Sequence, residues 1–231
     1  MDMNEVLELG YELHCTDRYV YNNKNVPRAT EIISKCIHED AIVSWSNSLG
    51  FRKKKYRDVL NYAAEYGSKV HYGIECYLKN KSIDNDTPSI PLEAFKNWWN
   101  QITYSNKVTI MGQEVKLVCE WYGGTYDLLI KINDKICLVD FKTSNHITYK
   151  YYIQLASYNK ILREKHGIQV DAFIILRLDK NKPIFEEYVL DMSNEQHRQY
   201  LGYCERTFMS MVYLYYHIYY LEERFNDEYK K

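Results

Sequence analysis

The sequence predicts an α/β fold in which a helical amino-terminal region precedes a sheet core and a long helix ends the chain. Two β-rich runs, 125–132 and 135–141, flank a two-residue Asn-Asp turn and indicate an antiparallel hairpin. With 231 residues, of which 46% are hydrophobic, the chain can bury one sizeable core without a second domain. We therefore predict a single domain with a mainly helical part over 1–110, a sheet core over 111–192 and a final helix over 193–231.

Helix signals locate the elements on either side of the hairpin. Thr30 can cap a first helix over 31–47, with Pro27 just ahead of it, and Ser193 can cap the last helix, which reaches about Phe225. No repeat, low-complexity tract or Pro/Gly-rich linker interrupts this order, which supports one domain. The remaining predicted helices cover 56–78, 91–102 and 149–164, and the remaining predicted strands cover 114–122, 171–178 and 184–190.

The hairpin brings two aspartates together. If Ile132 faces Lys135 across the turn, Asp127 lies directly opposite Asp140 on one face of the sheet, with Cβ atoms about 5 Å apart. Two carboxylates that close repel each other unless one is protonated or a cation lies between them, and a hard divalent ion with oxygen ligands is the usual occupant. Strand alternation turns Lys142 to the same face, while the opposite face is apolar. The hairpin therefore predicts a metal site with a lysine beside it, set into the core.

Two helices carry further polar residues in register. Gly67, His71 and Glu75 recur about once per turn and share one stripe of a predicted helix. A single histidine on a helix is more often packed or exposed than a metal ligand, so this stripe alone decides little. Gln154 and Tyr158 lie one turn apart on another helix. Because a glutamine amide can both donate and accept hydrogen bonds, Gln154 suits a phosphate or a bound water.

Four motifs occur in order along the chain, and their residues are Gly67-x3-His71-x3-Glu75, Gly124-Thr-Tyr-Asp127, Asp140-Phe-Lys142 and Gln154-x3-Tyr158. Together they resemble the PD-(D/E)xK nuclease superfamily, specifically its RecB-like exonuclease branch. The stretches 26–30 and 45–51 are similar to the amino-terminal region of phage exonucleases and of the mitochondrial genome maintenance exonuclease. Tyr126 replaces the proline of the superfamily's name, and Arg28 and Ala29 stand where the phage-type pattern favours Ser and Val.

The resemblance implies a restriction-endonuclease-like core, in which helices flank a central mixed β-sheet. It also implies hydrolysis of phosphodiester bonds with the help of Mg²⁺ or Mn²⁺, as one ion or two. The residues to which it assigns catalytic roles are Asp127, Asp140, Lys142 and Gln154, and those to which it assigns metal binding are His71, Asp127, Asp140 and the backbone carbonyl of Phe141.

Two further acids are candidate ligands for a second ion. Glu75 follows the histidine on its helical stripe, but it could instead orient His71 or pair with Lys79 on the surface. Glu120 precedes the Gly-Gly turn and could point toward the metals or remain an exposed edge carboxylate.

The candidate DNA contacts are Tyr158, Arg28 and the basic run Arg52, Lys53, Lys54 and Lys55. The chain as a whole has a formal net charge of −1 and a pI near 6.7, so it lacks the overall basic character common in DNA-binding proteins. The basic run could contact phosphates or be a solvated loop, and Tyr158 could instead pack beneath the sheet. The tyrosine-rich last helix could stack on unpaired bases or belong to the core.

The leading functional prediction is a metal-dependent DNA exonuclease in phage-type recombination, replication or repair. Its partners would be linear single- or double-stranded DNA and, optionally, a single-strand annealing or replication protein. A structure-selective or restriction-type endonuclease of the same fold is an alternative. A non-catalytic DNA-binding or scaffolding module is another, although such a module has no reason to keep a repulsive acidic pair.

The cysteines and the absence of targeting signals bear on cofactors and location. The six cysteines are dispersed without a CxxC pair, and only Cys204 lies in the carboxy-terminal part, so we expect no iron–sulfur cluster. Acidic residues among the first twenty argue against a secretory signal, and no window is apolar enough to span a membrane. We predict a cytoplasmic protein without membrane partners, located in the host cytoplasm if it is encoded by a phage.

Overall fold

The structure is a computed structural model that describes residues 19–37 and 40–229. In chain order its elements are β1 (Val20–Tyr21), β2 (Lys24–Asn25), α1 (Ala29–Cys36), α2 (Asp40–Phe51), α3 (Tyr56–Leu78), α4 (Ser89–Ser105), β3 (Val108–Val118), β4 (Gly123–Ile132), β5 (Lys135–Lys142), α5 (Tyr149–His166), β6 (Ala172–Leu178), β7 (Phe185–Asp191) and α6 (Glu195–Tyr229).

Five strands form the central sheet in the order β3-β4-β5-β6-β7. Strands β5 and β6 run parallel, and the other neighbouring pairs are antiparallel. Two parallel neighbours need a crossover connection, which α5 provides. The α/β class, the mixed sheet flanked by helices and the long carboxy-terminal helix are therefore confirmed, in agreement with a restriction-endonuclease-like core.

Helices cover both faces of this sheet. On one face α1, α5 and α6 pack against residues such as Leu129 and Leu138. On the other face α3 and α4 pack against residues such as Leu128, Val139 and Phe141. Strands β4 and β5 are consequently buried on both faces. This explains why apolar residues occupy consecutive positions in these strands instead of every second position. None of the described helices is long and apolar enough to cross a membrane.

The predicted hairpin register is confirmed. Ile132 pairs with Lys135 across the turn, and the ladder continues to Leu128 and Val139. Asn133 adopts a φ of +53°, in the left-handed region that asparagine tolerates better than most residues. The regular pairing stops one residue short of the two aspartates, so the acidic pair lies at the point where β4 and β5 end their ladder.

The amino-terminal region differs from its prediction. The described residues form two helices, α1 and α2, where a single helix over 31–47 was expected. Thr30 does not cap the first of them, because Arg28 occupies the N-cap position and Thr30 lies inside the helix. Arg28 also forms a bridge with Gly123 at the start of β4, and this tertiary contact sets where the helix begins.

Two other boundaries also differ. Strand β3 begins at Val108 instead of Glu114, because its pairing with β4 continues through a bulge between Ile110 and Gly112 that interrupts the local pattern. The last helix is capped by Asn194 and not by Ser193: the Asn194 Oδ1 atom accepts a hydrogen bond from the Gln196 N–H at 2.9 Å.

Candidate functional site

A histidine and two carboxylates meet where α3 crosses the sheet. His71 comes from α3, Asp127 from β4 and Glu114 from β3, and their ligand atoms all lie within 4.8 Å of one another. The Nδ1 atom of His71 is 3.4 Å from Asp127 Oδ1 and 3.7 Å from Glu114 Oε1. Carboxylate oxygens suit hard divalent ions, and imidazole is a common ligand of transition-metal ions. The donor set could therefore hold a divalent metal ion, and its identity stays a prediction.

Glu114 was missed by the sequence analysis. Its neighbours Gln113 and Val115 pair with Leu128 and Tyr126, so Glu114 stands across from Asp127 on the adjacent strand. Its own φ is +50°, a left-handed conformation that is uncommon for a residue other than glycine. Such strained positions concentrate at functional sites. An acid two strands from Asp140 was visible in the sequence, but the β3–β4 register that aligns it with Asp127 was not.

The two nitrogens of His71 face different groups. Nε2 lies 3.2 Å from the carbonyl oxygen of Phe141, which can only accept, so this hydrogen bond requires a proton on Nε2. In that tautomer Nδ1, which faces the carboxylates, is free to bind a metal ion. Metal-binding histidines usually donate the N–H of their other ring nitrogen to a carbonyl or carboxylate, as Nε2 does here. The Phe141 carbonyl thus lies beside the cluster, and its role as a direct ligand stays a prediction.

The electrostatics of this cluster favour a cation between the carboxylates. Burial alone would lower the pKa of His71, but Asp127 and Glu114 outweigh it and raise the pKa to about 10. Burial would likewise raise the pKa of Asp127, yet the charges of His71 and Lys142 lower it below its ordinary value. In the absence of metal, a protonated histidine supplies the positive charge that the carboxylates require.

Asp127 also stabilises the fold through a hydrogen bond to the backbone of β5. Its side chain is buried, and its Oδ2 atom accepts a hydrogen bond from the backbone N–H of Phe141 at 2.6 Å. This bond satisfies a backbone donor just past the end of the β4–β5 ladder. The carboxylate is therefore fixed in place by β5 while its other oxygen faces His71.

A second group surrounds Lys142 on the same sheet face. The Lys142 Nζ atom lies 2.9 Å from Asp140 Oδ1, 2.7 Å from Asp140 Oδ2 and 3.3 Å from Gln154 Oε1. Asp140 is only 2% exposed, and burial together with the Asp127 charge raises its pKa to about 6 despite the opposing effect of Lys142. Asp140, predicted as a metal ligand, is thus held here by the lysine, and its metal-binding role stays a prediction.

The contacts of Gln154 fix the orientation of its amide. The amide nitrogen donates to Asp140 Oδ1 at 3.2 Å and to the Tyr158 hydroxyl at 3.0 Å, while the amide oxygen accepts from Lys142. Gln154 on α5 therefore contacts Lys142 and Asp140 from the helical layer, and its catalytic role stays a prediction.

The DNA contact predicted for Tyr158 is wrong, because this side chain is only 3% exposed. A Cβ atom at Gly124 would overlap its ring, so the glycine at the start of β4 is needed for the helix and strand to approach. Tyr158 packs beneath the sheet and holds Gln154 through its hydroxyl. It is a positioning residue of the site.

Tyr151 is another missed residue. The Lys142 ammonium lies 4.7 Å from the centroid of its ring, a distance at which a cation is attracted to an aromatic face. Tyr151 is in the first turn of α5, one turn before Gln154. The lysine is therefore held between an aspartate, an amide and an aromatic ring.

A cavity of about 710 Å³ opens over both groups, and it also contains Arg28 and Lys180. The Nε atom of Arg28 is buried and has no hydrogen-bond partner in the described part of the chain. Lys180, in the β6–β7 loop, lies over the Tyr66 ring at 5.1 Å from its centroid. These two cations line a cavity that also contains acidic side chains, and positive charge there suits a phosphodiester.

The remaining predicted residues lie at different distances from the cluster. Glu75 lines the same cavity, but its carboxylate pairs with Lys79 at 2.5 Å, which was the surface alternative. Glu120 is not part of the site: it pairs with Lys165 on α5 at 3.0 Å, because β3 has ended at Val118 before reaching it. The position expected for Glu120 is taken by Glu114.

The basic run Arg52–Lys55 is exposed and lies at the start of α3. Lys55, the residue before the helix, is about 24 Å from His71 along the axis, at about 1.5 Å per residue. Lys53, Lys54 and Lys55 line a separate surface hollow with Tyr62. Any contact that this run makes with a ligand would therefore be remote from the His71 cluster.

Some tyrosines of α6 are packed in the core, and others are exposed where they could stack on unpaired bases. Tyr215 and Tyr216 are buried in the core, with their hydroxyls donating to Glu31 and to the Trp121 carbonyl, whereas Tyr213 is about half exposed. Tyr215 and Tyr216 therefore belong to the core, which was one of the two alternatives for this helix.

Comparisons with known proteins add little to this geometry. No family profile matches the chain, and no curated protein matches it in sequence. Among solved structures, that of the protein SSO0001 aligns over 90% of this chain and 86% of that one, with 14% identity and a TM-score of 0.38. A similarity at this level carries no argument about fold or function.

Proposed function

We propose that the protein is a metal-dependent DNA exonuclease that uses Mg²⁺ or Mn²⁺, with a role in phage-type recombination, replication or repair. The observation that carries this proposal is the proximity of a His71–Glu114–Asp127 cluster to a lysine held by Asp140 and Gln154. Metal-dependent phosphodiester hydrolysis needs both a set of hard ligands and a fixed cation for the charge that develops on phosphorus.

The donor set determines the contribution of the metal. An ion held by His71, Glu114 and Asp127 would supply a Lewis acid for a phosphoryl oxygen and would lower the pKa of a bound water. The Asp127 carboxylate is already oriented for metal binding, because the Phe141 N–H donates a hydrogen bond to one of its oxygens. The three ligands come from three elements, so the sheet and α3 must be packed together for the site to exist.

The lysine group acts on the reacting phosphate. Burial would lower the pKa of Lys142, but Asp140 and Asp127 raise it above its ordinary value, so the side chain remains an ammonium near neutral pH. An ammonium in a buried site stabilises negative charge more strongly than one in water. Gln154, held by Asp140 and Tyr158, restricts the lysine to one position.

Arg28 and Lys180 account for the binding of the phosphate backbone. Both line the cavity above the reacting groups, and the Arg28 Nε atom has no partner within the described residues. An arginine fork binds phosphate oxygens in pairs, whereas a lysine acts as a point charge. The choice of an exonuclease over an endonuclease rests on the resemblance of 26–30 and 45–51 to phage-type exonucleases.

The test is degradation of end-labelled linear single- and double-stranded DNA, beside closed circles, with Mg²⁺ or Mn²⁺. The variants are Asp140→Ala and, as a matched control, Asp134→Asn in the fully exposed hairpin turn. We expect metal-dependent loss of linear DNA that disappears in Asp140→Ala, persists in Asp134→Asn and spares circles. Cleavage of circles would indicate an endonuclease instead. DNA binding without any cleavage would support the non-catalytic alternative.

A further inference from the structure

A second cavity lies beside Lys142 on the same sheet face. Its volume is about 540 Å³, and Tyr149, Tyr152 and Tyr188 are among its lining residues. Its floor is formed by Arg177 and Glu186. Arg177 pairs with Lys142 across β5 and β6, and Glu186 pairs with Arg177 across β6 and β7. Because neighbouring strands are about 4.8 Å apart, this floor lies within about 10 Å of the Lys142 backbone.

One loop joins the two cavities. Thr143 and Ser144 line the cavity over the metal cluster, and the next residues, Asn145 to Tyr149, line the second cavity. The same arrangement continues on α5, where Tyr151 faces the first cavity and Tyr152 the second. A ligand seated in the first cavity therefore has the second as its immediate neighbour.

The charges of the second cavity do not suit a phosphate. The Arg177 guanidinium donates to both Glu186 oxygens, at 3.0 and 2.5 Å, and to Asp179 at 3.3 Å. Those bonds use the fork that would otherwise bind an anion. The cavity is thus lined by a neutralised ion pair and by aromatic rings, which favours a flat, neutral ligand.

Two aromatic rings and two polar side chains of the cavity are available to such a ligand. Tyr149 is 52% exposed and Tyr188 37% exposed. The side chains of Asn145 and Thr148 make no hydrogen bond within the described residues, and together they offer donors and acceptors at the rim. Exposed rings with hydrogen-bonding groups beside them are the means by which proteins bind bases outside a duplex.

We propose that this cavity is a subsite for an unpaired nucleobase, which stacks on Tyr149 and Tyr188 while its neighbouring phosphate lies at Lys142. The inference rests on the proposed nuclease function and specifies its substrate: the DNA strand is single-stranded at the nucleotide beside the reacting bond. A base that is paired and stacked in a duplex cannot enter the cavity without leaving its helix.

The subsite is tested by equilibrium binding of short single strands that contain 2-aminopurine, with Ca²⁺ in place of the catalytic ion so that cleavage does not interfere. Stacking on an aromatic residue contributes about 1–3 kcal/mol per base, so Tyr149→Ala and Tyr188→Ala should each weaken single-strand binding by about 5-fold to 150-fold. Blunt duplex of the same length should bind each variant as it binds the unmodified protein. Tyr149→Phe should retain affinity, since the ring remains.

Tyr104→Ala is the matched control, because this tyrosine on α4 is 93% exposed in the other helical layer. It should leave both affinities unchanged. The subsite is overturned if Tyr149→Ala and Tyr104→Ala have equal effects, if Tyr149→Phe loses as much affinity as Tyr149→Ala, or if no single strand binds. Binding and cleavage are separate readouts, so a tyrosine-dependent single-strand affinity in a protein that cuts nothing would sustain the subsite while the nuclease proposal failed.

Discussion

Asp127 and Phe141 are joined by a hydrogen bond at the point where β4 and β5 stop pairing. The Asp127 Oδ2 atom accepts the Phe141 N–H at 2.6 Å, and the last regular pair before it is Leu128 with Val139. The carboxylate therefore replaces a backbone acceptor that the ladder no longer provides. One oxygen of Asp127 maintains the strand while the other faces His71.

This double role predicts different outcomes for two substitutions of Asp127. Asp127→Asn can keep the hydrogen bond to Phe141, whereas Asp127→Ala leaves a buried N–H without a partner, at a cost of about 1–3 kcal/mol in the free energy of unfolding. In chemical denaturation without metal, the free energy of unfolding of Asp127→Ala should therefore be clearly lower than that of Asp127→Asn. Neither variant should cleave DNA, since both lose the ligand charge. Equal stabilities would show that the bond to Phe141 is not structural.

Removing the Glu114 carboxylate charge should weaken metal binding with little effect on folding. Glu114 is partly exposed and its ligand oxygen lies within 4.8 Å of those of His71 and Asp127. Changes in the groups that support a metal site commonly reduce affinity by about 10- to 100-fold, so Glu114→Gln should lose at least about 10-fold for Mn²⁺ by calorimetric titration. Glu120→Gln, an acid outside the cluster, is the control. Equal affinities in the two variants would exclude Glu114 as a ligand.

The ring of Tyr151 should matter for catalysis more than its hydroxyl. Lys142 lies 4.7 Å from the ring centroid, and a contact of this kind contributes about 0.5–2 kcal/mol. Tyr151→Leu should therefore lower kcat by about 2- to 30-fold, and Tyr151→Phe should remain near the unmodified rate. Single-turnover cleavage separates this effect from DNA binding. A loss in Tyr151→Phe as large as in Tyr151→Leu would assign the role to the hydroxyl instead.

The pKa of His71 predicts how the stability of the metal-free protein depends on pH. Because the folded-state pKa is raised from 6.5 to about 10, the native protein binds this proton more tightly than the unfolded chain. The resulting stabilisation is fully present below about pH 6.5 and is lost as the pH rises toward 10. Denaturation in EDTA between pH 6 and 10 should show this decline. His71→Asn should flatten it, and an unchanged slope in that variant would contradict the assignment.

The salt dependence of DNA affinity can show whether the basic run at the start of α3 contacts phosphates. If Lys53, Lys54 and Lys55 contact phosphates of a single strand, each contact releases counterions and contributes about 0.7 to the slope of log affinity against log salt. Changing all three to Gln should then reduce the slope by about 2. A control that changes Lys79, Lys131 and Lys160, which pair with nearby acids, should leave it unchanged. Equal slopes in both triple variants would identify the run as a solvated loop.

The parts of this structure that depend on short-range geometry were predictable. A two-residue turn fixes the β4–β5 register, and strand alternation then places Asp127, Asp140 and Lys142 on one face without further information. The α3 stripe that carries His71 follows from helical periodicity alone. The agreement of the motifs with these elements is why these side chains could be expected to lie near one another, while their roles stay predictions.

The residues that escaped prediction depend on contacts between elements. Glu114 joins the site through the pairing of β3 with β4, and Tyr151 through the packing of α5 on the sheet. Tyr158 is buried because Gly124 lets its ring approach β4, which no pattern within α5 indicates. Helix α1 begins at Ala29, directly after the bridge of Arg28 with Gly123, a contact made far along the chain.

The origin of His71, Glu114 and Asp127 on three separate elements has a consequence for folding. The hairpin can form early because its contacts are local, whereas α3 reaches the sheet only when loops on either side of α4 have closed. The unfolded chain has no preformed site, so a divalent ion held by these three residues would select the fully assembled state. At a hundredfold excess over its Kd it should add about 2.7 kcal/mol to the unfolding free energy, making metal binding a measure of how much of the chain has completed its tertiary structure.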